Sequence, residues 1–261
     1  MEFTTDITMK QDNEIFVSSL SFIEDHFKLK ILEIDSILHP SEYKLYNSFH
    51  NQKRQSSFIL GRYTAKMAIS SLCNIKPISQ IFIGAGVFNQ PIVKAPDLPN
   101  VCVSISHNDF SAIALAYKED YPMGIDLECI DAEKIMHIAE FFTPHEHSLS
   151  KILSGNMPLF YTIIWTAKES LSKVLKTGLT TGLNIMEVNT IKYHLNGFYI
   201  ITFTNFAQYQ TFSMVVNDKV ITIILPRNAT IESLVQVQVQ AQNKFNHHLG
   251  IENNLIKMIR A

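Results

Sequence analysis

The sequence predicts an α+β fold of two similar halves, each a small sheet packed with helices, arranged with pseudo-two-fold symmetry. The first reason is the order of the hydrophobic patterns, since strand-like and helix-like runs follow in a similar sequence before and after Tyr121-Pro122. The second reason is the apolar content, because 46% of the 261 residues can fill one large core or two smaller ones. The expectation concerns the order of elements only.

In the first half we expect a strand, two helices, a loop rich in glycine and proline, and two further strands. His39-Pro40-Ser41-Glu42 has the composition of a helix start, and a short polar turn at His107-Asn108-Asp109 lies between the last two strands. The expected elements cover, in order, residues 28–34, 39 onward, 52–73, 84–99, 101–106 and 111–117.

The second half repeats this order, with its clearest signal at a helix start. Thr143 is a suitable N-cap, Pro144 takes the first helical position and Glu146 completes a capping box. We therefore expect a strand at 123–128, helices at 132–142, from 144 and at 158–176, and strands at 187–194, 198–204, 211–216 and 220–225. The predicted units are 1–120, 121–225 and an extension of unknown role, 226–261, in which strand and Gln-rich helix are equally possible.

Composition argues against several functional classes. The formal net charge of −2 gives no global positive field for nucleic acid or an anionic membrane. The chain has three cysteines without CxxC spacing, which predicts neither a disulfide framework nor a zinc site. No apolar run approaches the roughly 20 residues of a membrane span, and the acidic, polar start does not resemble a signal peptide. We therefore expect a cytoplasmic protein.

Two carboxylates lie on one predicted strand, Gly124-Ile125-Asp126-Leu127-Glu128. Side chains alternate along a strand, so Asp126 and Glu128 point to one face while Ile125 and Leu127 point to the core. A magnesium ion commonly takes one or two carboxylates together with phosphate oxygens and water. An ordinary strand with a polar outer face would explain the same pattern.

The predicted helix at 158–176 carries the only tryptophan of the chain. Trp165, Glu169 and Lys173 are spaced four apart and share one side of the helix. Glu169 and Lys173 could form a simple surface ion pair. In the functional alternative, Glu169 is a third metal ligand or a base and Lys173 is a cation for phosphate.

Two further groups could bind phosphate. Ser106 and His107 end a predicted strand, and a simple turn histidine is the alternative. Arg54, Arg62 and Lys66 share one side of the helix at 52–73, where a solvated helix face is the alternative. The chain has no P-loop, no GxGxxG after a strand and no GxSxG elbow.

Taken in order, these motifs resemble the 4′-phosphopantetheinyl transferase superfamily, and the length and two-half plan resemble its long, monomeric, surfactin-synthetase-activating type. The resemblance covers roughly residues 40–182 and rests on three segments. They are Ser104-Ile105-Ser106-His107, Gly124-Ile125-Asp126-Leu127-Glu128, and Trp165-Thr166-Ala167-Lys168-Glu169 continuing to Lys173. It departs at Asn89-Gln90-Pro91, where the family commonly has Gly-Lys-Pro.

The resemblance implies a function and an arrangement of the site between the two halves. The enzyme would move the 4′-phosphopantetheine of coenzyme A to a serine of an apo acyl or peptidyl carrier protein, and would release adenosine 3′,5′-bisphosphate. Asp126, Glu128 and Glu169 match the magnesium carboxylates. Glu169, directly or through a metal-bound water, is the candidate base, so that Asp126, Glu169 and Lys173 are the catalytic candidates.

The same resemblance implies how coenzyme A is held. Ser106 and His107 match residues that contact its phosphates, Lys173 matches a lysine close to the pyrophosphate, and Arg54 and Arg62 match cations near the nucleotide end. Two other classes remain open. A metal-dependent nucleotide pyrophosphohydrolase would use the same carboxylates with water, and a non-catalytic binder of coenzyme A or a carrier protein would not need them.

Overall fold

The computed structural model describes residues 2–11, 14–24, 34–95, 100–153, 155–194 and 196–231. In these residues the helices are α1 (Ile34–Ile37), α2 (Pro40–Asn47), α3 (Gln52–Cys73), α4 (Ala132–Ala139), α5 (Pro144–Ser148) and α6 (Met157–Leu175). The strands are β1 (Glu2–Gln11), β2 (Glu14–Glu24), β3 (Phe82–Ala85), β4 (Pro91–Lys94), β5 (Val101–His107), β6 (Ser111–Lys118), β7 (Gly124–Cys129), β8 (Val188–His194), β9 (Phe198–Phe203), β10 (Tyr209–Val216), β11 (Lys219–Pro226) and β12 (Thr230–Ile231).

Two five-stranded sheets and a hairpin organise the described part of the chain. The first sheet has the order β12-β1-β2-β6-β5, the second has the order β7-β11-β10-β9-β8, and β3 pairs with β4. Helix α3 packs on β6, β2 and β5, while α6 packs on β11 and β7. The predicted α+β class, with small sheets packed with helices, is confirmed.

The chain follows the same path through both halves. In the first half the second strand, β2, pairs with the last strand, β6, and in the second half the first strand, β7, pairs with the last strand, β11. Helices lie between these two strands in sequence, and the longest of them covers the sheet. Residue 120 lies in the connection between β6 and β7. The division of the chain into units at this residue stays a prediction.

One apolar core joins the two sheets. Its buried side chains come from β1, β2 and β6 on one side and from β7, β9, β10 and β11 on the other, with Met123 between them. A second cluster lies between α6 and the outer face of the second sheet, and a smaller one lies under α3. The shared core holds the edges of β5 and β7 next to each other.

A buried ion pair anchors the helices of the first half. Glu42 accepts a hydrogen bond from the backbone of its own N-cap, His39, at 2.9 Å and another from the Ile83 N–H at 3.1 Å. The fully buried Lys66 of α3 donates to Glu42 at 2.5 Å and to the Ile37 carbonyl at 2.7 Å. Lys66 is therefore a structural residue and not a member of the predicted cationic line.

The second half contains the same arrangement. Glu146 accepts from the backbone of its N-cap, Thr143, at 2.9 Å and from the Val188 N–H at 2.8 Å. Lys168 of α6 lies 2.7 Å from Glu146 and donates to the Leu183 carbonyl at 2.7 Å. Both charged groups are completely buried, and their partners satisfy them on several sides.

This correspondence extends into the sequence around the two lysines. The α3 segment Tyr63-Thr64-Ala65-Lys66 corresponds to the α6 segment Trp165-Thr166-Ala167-Lys168. In each half the lysine pairs with a glutamate at the third position of a capped helix. The two halves therefore share residues as well as element order.

Glycine is required where β7 passes under α6. A Cβ atom at Gly124 would lie 2.6 Å from the Ser170 carbonyl oxygen and 2.9 Å from Cγ2 of Ile224. Neither neighbour is the free end of a flexible side chain, so a larger residue would push strand and helix apart. This close approach brings the carboxylates of β7 within reach of side chains from α6.

The Gly124→Ala variant is therefore expected to destabilise the fold by about 1–3 kcal/mol, because overpacking forces a backbone shift. Urea unfolding monitored by circular dichroism measures this difference. Gly84→Ala is the matched control, since a Cβ there would lie 3.2 Å from the Phe82 ring and 3.9 Å from the Ile92 carbonyl oxygen, with no contact below 3.0 Å. Equal stability of Gly124→Ala and the unmodified protein would show that the glycine does not set the separation between strand and helix.

Several sequence expectations need correction. Residues 28–33 of the expected first strand lie outside the described residues, and Ile34 begins α1. The expected loop at 84–99 contains most of the β3–β4 hairpin, and its residues 96–99 are outside the described part. Strands β1 and β2 were not expected, although Phe3, Ile7 and Met9 alternate with polar residues and are buried.

The chain returns to the first sheet after the second sheet is complete. Met9 and Lys10 of β1 pair with Ile231 and Thr230, so β12 covers the edge of β1 there. The predicted alternatives for residues 235–240 lie outside the described residues. No helix in the described ranges combines the length and the apolar character needed to cross a membrane.

Candidate active site

The candidate site lies where β5 of the first sheet meets β7 of the second. Two serines of β5 join the strands through their side chains. The Ser104 hydroxyl accepts a hydrogen bond from the Ile125 N–H at 3.0 Å, and the Ser106 hydroxyl donates to Oδ1 of Asp126 at 2.8 Å. Alternation along β5 points both serines to the same side. The interface between the halves therefore passes directly through the carboxylate strand.

Asp126 is the most buried carboxylate of the site, with 3% of its surface exposed. Its Oδ1 accepts hydrogen bonds from Ser106 and from Nζ of Lys173, the latter at 2.7 Å. Lys173 also donates to the Ile125 carbonyl at 2.9 Å, which fixes the ammonium group beside β7. The buried Oδ2 of Asp126 has no hydrogen-bond partner among the described residues. This oxygen can accept a ligand that the polypeptide does not supply.

Glu128 lies two residues further along β7, at the more exposed end of the site. The Trp165 indole N–H donates to its Oε1 at 3.3 Å, and Nζ of Lys134 lies 2.9 Å from its Oε2. Trp165 and Lys173 of α6 thus face Glu128 and Asp126 respectively. The predicted common side of Asp126 and Glu128 is the side that faces α6.

Glu169 lies between Trp165 and Lys173 on α6. Burial raises the pKa of its carboxyl group to about 7, and the negative charge of Asp126 adds to this effect, while Lys173 opposes it. Within the described part of the chain, no hydrogen bond fixes the Glu169 carboxylate. A carboxyl group with a pKa near the working pH can accept and release a proton, as a general base must.

A pH-dependent stability follows from this pKa. The folded protein holds the Glu169 proton more tightly than the unfolded chain, so stability falls as the pH rises from about 4.5 to about 7. In EDTA, Glu169→Gln is expected to match the unmodified protein below this window and to exceed its stability above it by up to about 3 kcal/mol. Urea titrations across the window measure the difference. An offset that is independent of pH would contradict the raised pKa of Glu169.

The donor set suits a magnesium ion that shares its coordination with a substrate. No group of three or more His, Cys, Asp or Glu side chains among the described residues is arranged to hold an ion alone. Magnesium needs only one or two carboxylates when phosphate oxygens and water complete its shell. The free Oδ2 of Asp126 and the Glu169 carboxylate meet this requirement, whereas both oxygens of Glu128 have protein partners.

His107 ends β5 on the side of α3. Although the ring is partly exposed, the surrounding protein displaces enough water to lower the pKa of His107, and the positive charges of Lys173 and Arg62 lower it further. A Cβ atom at Gly61 would lie 3.3 Å from Cδ2 of the ring, so the glycine permits this close packing. His107 is therefore favoured in its neutral form between two cations.

The two predicted arginines of α3 have different environments. Arg62 lies with its guanidinium 4.7 Å from the Phe58 ring centroid and its Nε 3.3 Å from Glu42. The guanidinium of Arg54 lies 5.0 Å from the Phe49 ring centroid, and no salt bridge to Arg54 is found among the described residues. Arg54 is the more accessible cation of the pair.

Two cavities flank the junction of β5 and β7. The larger, of about 430 Å³, opens beside the start of α3, and the smaller, of about 250 Å³, lies between the β3–β4 turn and α6. The larger is lined by Phe49, Lys53, Arg54, Phe58 and His107, among others. The smaller is lined in part by Gln90, Cys102, Ser104, Glu169, Lys173 and Lys176.

The structure thus brings most of the sequence-predicted residues together at one junction. The site brings together Asp126, Glu128, Glu169, Lys173 and Ser106, and beside this group His107 of β5 leads to Arg62 and Arg54 of α3. Sequence reasoning missed the roles of Ser104 and Lys134. The period of two along β5 could have indicated Ser104, since Ser106 was already a candidate. No sequence pattern connects Lys134 with Glu128.

Comparison with known proteins identifies the family through the second half of the chain. Residues 122–224 match the family model described as the 4′-phosphopantetheinyl transferase superfamily. A holo-[acyl-carrier-protein] synthase of Mycoplasma capricolum subsp. capricolum is 34% identical over 93 residues, which are 35% of this chain and 83% of that protein. Both matches are shorter than the chain, and the family model does not extend to β5 or α3.

A structural comparison finds a holo-(acyl-carrier-protein) synthase from Bacillus anthracis str. Ames, crystallised in complex with CoA (3′,5′-ADP). The likeness covers 44% of this chain and 97% of that one, with 21% sequence identity and a TM-score of 0.35, which is too low to support an argument. Family membership rests instead on the family model and on the Mycoplasma relative. By these two matches, the chain belongs to the 4′-phosphopantetheinyl transferase superfamily.

Proposed function

We propose that the protein transfers the 4′-phosphopantetheine group of coenzyme A to a serine hydroxyl of an apo carrier protein and releases adenosine 3′,5′-bisphosphate. The observation that carries this proposal is the pairing of Asp126 and Glu169 at the β5–β7 junction. Asp126 offers a buried oxygen that has no partner among the described residues, and burial raises the pKa of the Glu169 carboxyl group to about 7. Membership of the superfamily agrees with a group transfer of this kind.

Magnesium would be held by Asp126 and Glu169, with Glu128 beside them, and by phosphate oxygens of the substrate. When bound, the ion would neutralise charge on the pyrophosphate. Lys173, fixed by Asp126 and the Ile125 carbonyl, would add a positive charge to the same region. Ser106 and His107 would contact phosphate from the β5 side.

The chemical step needs no nucleophile from the enzyme. The serine oxygen of the carrier forms a bond to the phosphorus next to the pantetheine arm, and the bond from this phosphorus to the bridging oxygen of the pyrophosphate breaks. The electron pair of that bond leaves with adenosine 3′,5′-bisphosphate. Glu169, as carboxylate, would take the serine proton.

The arrangement of cations supports an orientation for coenzyme A. Arg54, which lines the larger cavity, and Arg62 further along α3 would bind the nucleotide end. Lys173 and Glu169 line the smaller cavity, next to the reacting phosphate. Gln90 replaces the lysine that the family commonly has, and its side chain accepts a hydrogen bond from the Phe88 N–H within its own turn. A cation from this loop is therefore not part of the proposed site.

We further propose the long, monomeric type of the family. Ser106 and His107 of the first half and Asp126 and Glu169 of the second half meet within one chain. A second copy is then not needed to complete the site. This arrangement supports activity as a monomer, with an acyl or peptidyl carrier protein as the partner.

Intact-mass spectrometry of carrier proteins tests the function. The purified protein is incubated with coenzyme A, Mg²⁺ and a panel of apo acyl and peptidyl carrier proteins, with an acceptor Ser→Ala carrier as control. We expect the mass of one phosphopantetheine on at least one carrier, and none in EDTA or on the control. Coenzyme A cleaved without any carrier would favour a pyrophosphohydrolase. Coenzyme A left intact with every carrier would contradict the proposed transfer.

A further inference from the structure

Lys134 is a charged residue of the site that the proposed reaction does not use. It occupies the first turn of α4, and Oδ1 of the N-cap Asp131 accepts from the Glu133 and Lys134 N–H groups at 3.1 and 3.0 Å. This cap fixes the backbone from which the lysine side chain extends to Glu128. Since 54% of the Lys134 side chain is exposed, its ammonium group reaches the carboxylates from the solvent side.

The carboxylates of the site differ in how many of their oxygen atoms accept hydrogen bonds from protein groups. The ammonium group of Lys134 donates a hydrogen bond to Oε2 of Glu128 at 2.9 Å, and the indole N–H of Trp165 donates to Oε1 at 3.3 Å. In contrast, Oδ2 of Asp126 has no partner among the described residues. A cation could therefore coordinate Glu128 only if it displaced one of these two hydrogen-bond donors. Lys134 is the donor that is more easily displaced, because its side chain is exposed.

The contact between Lys134 and Glu128 affects how a divalent cation can bind at the site. Asp126, Glu128 and Glu169 lie near two lysines, of which Lys173 is held on the inner side by Asp126 and the Ile125 carbonyl. Lys134 has no comparable second anchor to the backbone in the described contacts of its ammonium group. A divalent cation that approaches Glu128 must therefore compete with the ammonium group of Lys134.

We propose that Lys134 is an internal counter-ion that competes with the divalent cation for Glu128 and holds down the metal affinity of the free protein. This inference rests on the proposed function, because it takes the carboxylate group as a metal site. Its consequence is that the free protein binds the ion weakly and acquires full affinity when the phosphates of coenzyme A supply further ligands. Lys134 is then a positioning residue that acts through Glu128.

Metal binding to the protein without coenzyme A tests the proposal. Isothermal titration with Mn²⁺ as the probe compares Lys134→Gln with the unmodified protein, and we expect the Kd for Mn²⁺ to fall about threefold to tenfold in the variant. Lys134→Arg keeps the charge and should leave the Kd unchanged. Lys151→Gln, at an exposed lysine of the same half, removes one charge elsewhere and should change the Kd by less than about twofold.

A thermodynamic cycle separates competition for Glu128 from a general effect of charge. In a Glu128→Gln background, Lys134→Gln should no longer improve Mn²⁺ binding. An equal improvement in both backgrounds would overturn the proposal, as would an unchanged or higher Kd in the single variant. If Lys134→Gln instead weakens coenzyme A binding and leaves Mn²⁺ binding unchanged, Lys134 is a substrate contact and the counter-ion role is wrong.

The outcomes also distinguish this inference from the proposed function. If the unmodified protein binds Mn²⁺ and modifies a carrier while Lys134→Gln has the same Kd, only the counter-ion role fails. If neither protein binds Mn²⁺ at millimolar concentration and carriers remain unmodified, the metal-dependent transfer fails and the inference fails with it.

Discussion

Asp126→Asn is expected to lower the rate of phosphopantetheine transfer by at least about 10²–10³-fold and to weaken Mn²⁺ binding strongly. The physical reason is the Oδ2 atom of Asp126, which is buried and has no partner among the described residues. Asparagine keeps the volume of the side chain but removes its charge, so the site would hold the divalent cation less tightly, and the developing negative charge on the phosphate would lose the cation that neutralises it. Single-turnover transfer to a carrier, followed by intact mass, measures the rate.

The fold should tolerate this change, because two effects oppose each other. The variant loses the charged partner of Lys173, at 2.7 Å, but it also removes the negative charge that helps to raise the pKa of Glu169. Glu133→Gln provides the matched control, since it makes the same chemical change at an exposed residue of α4. A folded Asp126→Asn protein with transfer within about fivefold of the Glu133→Gln rate would refute the assignment of Asp126.

The largest effect on stability is expected for Lys168→Met. The substitution leaves the Glu146 carboxylate fully buried without its cation, which typically costs about 3–5 kcal/mol. Such a loss is a large part of the total stability of an ordinary domain. Urea unfolding at neutral pH measures it, and Lys151→Met, at an exposed position, should stay within about 0.5 kcal/mol of the unmodified protein.

A second variant separates the buried charge from the loss of packing. Adding Glu146→Gln to Lys168→Met removes the unpaired charge, so the double variant should be more stable than Lys168→Met alone. A double variant that is less stable than Lys168→Met would show that Glu146 stabilises the fold through its backbone hydrogen bonds rather than as the partner of a cation. The 2.9 and 2.8 Å bonds from Thr143 and Val188 are the groups responsible in that case.

Much of the fold could be predicted because local signals agree with the final structure. Helix α3 has the expected bounds, since the Asn51 side chain caps its start and Asn74, in a left-handed conformation, follows its end. The capping box at Thr143 is confirmed as well. These features depend on residues close together in sequence, which a pattern can reveal.

The missed elements had weaker or misleading signals. Buried polar residues interrupt the hydrophobic pattern of β2, where Ser18, Ser19 and Ser21 are all buried. Gly84, Gly86 and Pro91 resemble a loop, yet the strands on either side of Val87 pair as a hairpin. In both cases tertiary packing, rather than local preference, decides the conformation.

The candidate site also combines features that local sequence patterns predict with features that depend on tertiary contacts. The common face of Asp126 and Glu128 follows from strand alternation, and the line of Trp165, Glu169 and Lys173 follows from helical spacing. The contact between Ser106 and Asp126 joins two strands of different sheets, so no local pattern contains it. The raised pKa of Glu169 likewise depends on its burial in the folded protein.

The Thr-Ala-Lys segment that α3 and α6 share places a buried lysine in each half, but the residues that follow it differ between the two helices. One residue after the shared lysine, α6 carries Glu169 and α3 carries Met67. Five residues after it, α6 carries Lys173 and α3 carries Ser71. Both helices thus hold a buried lysine paired with a glutamate, and only α6 adds a carboxylate and an ammonium group at these positions. Helix α3 therefore supports the first half in the same way that α6 supports the second, while α6 alone contributes charged side chains to the carboxylate site.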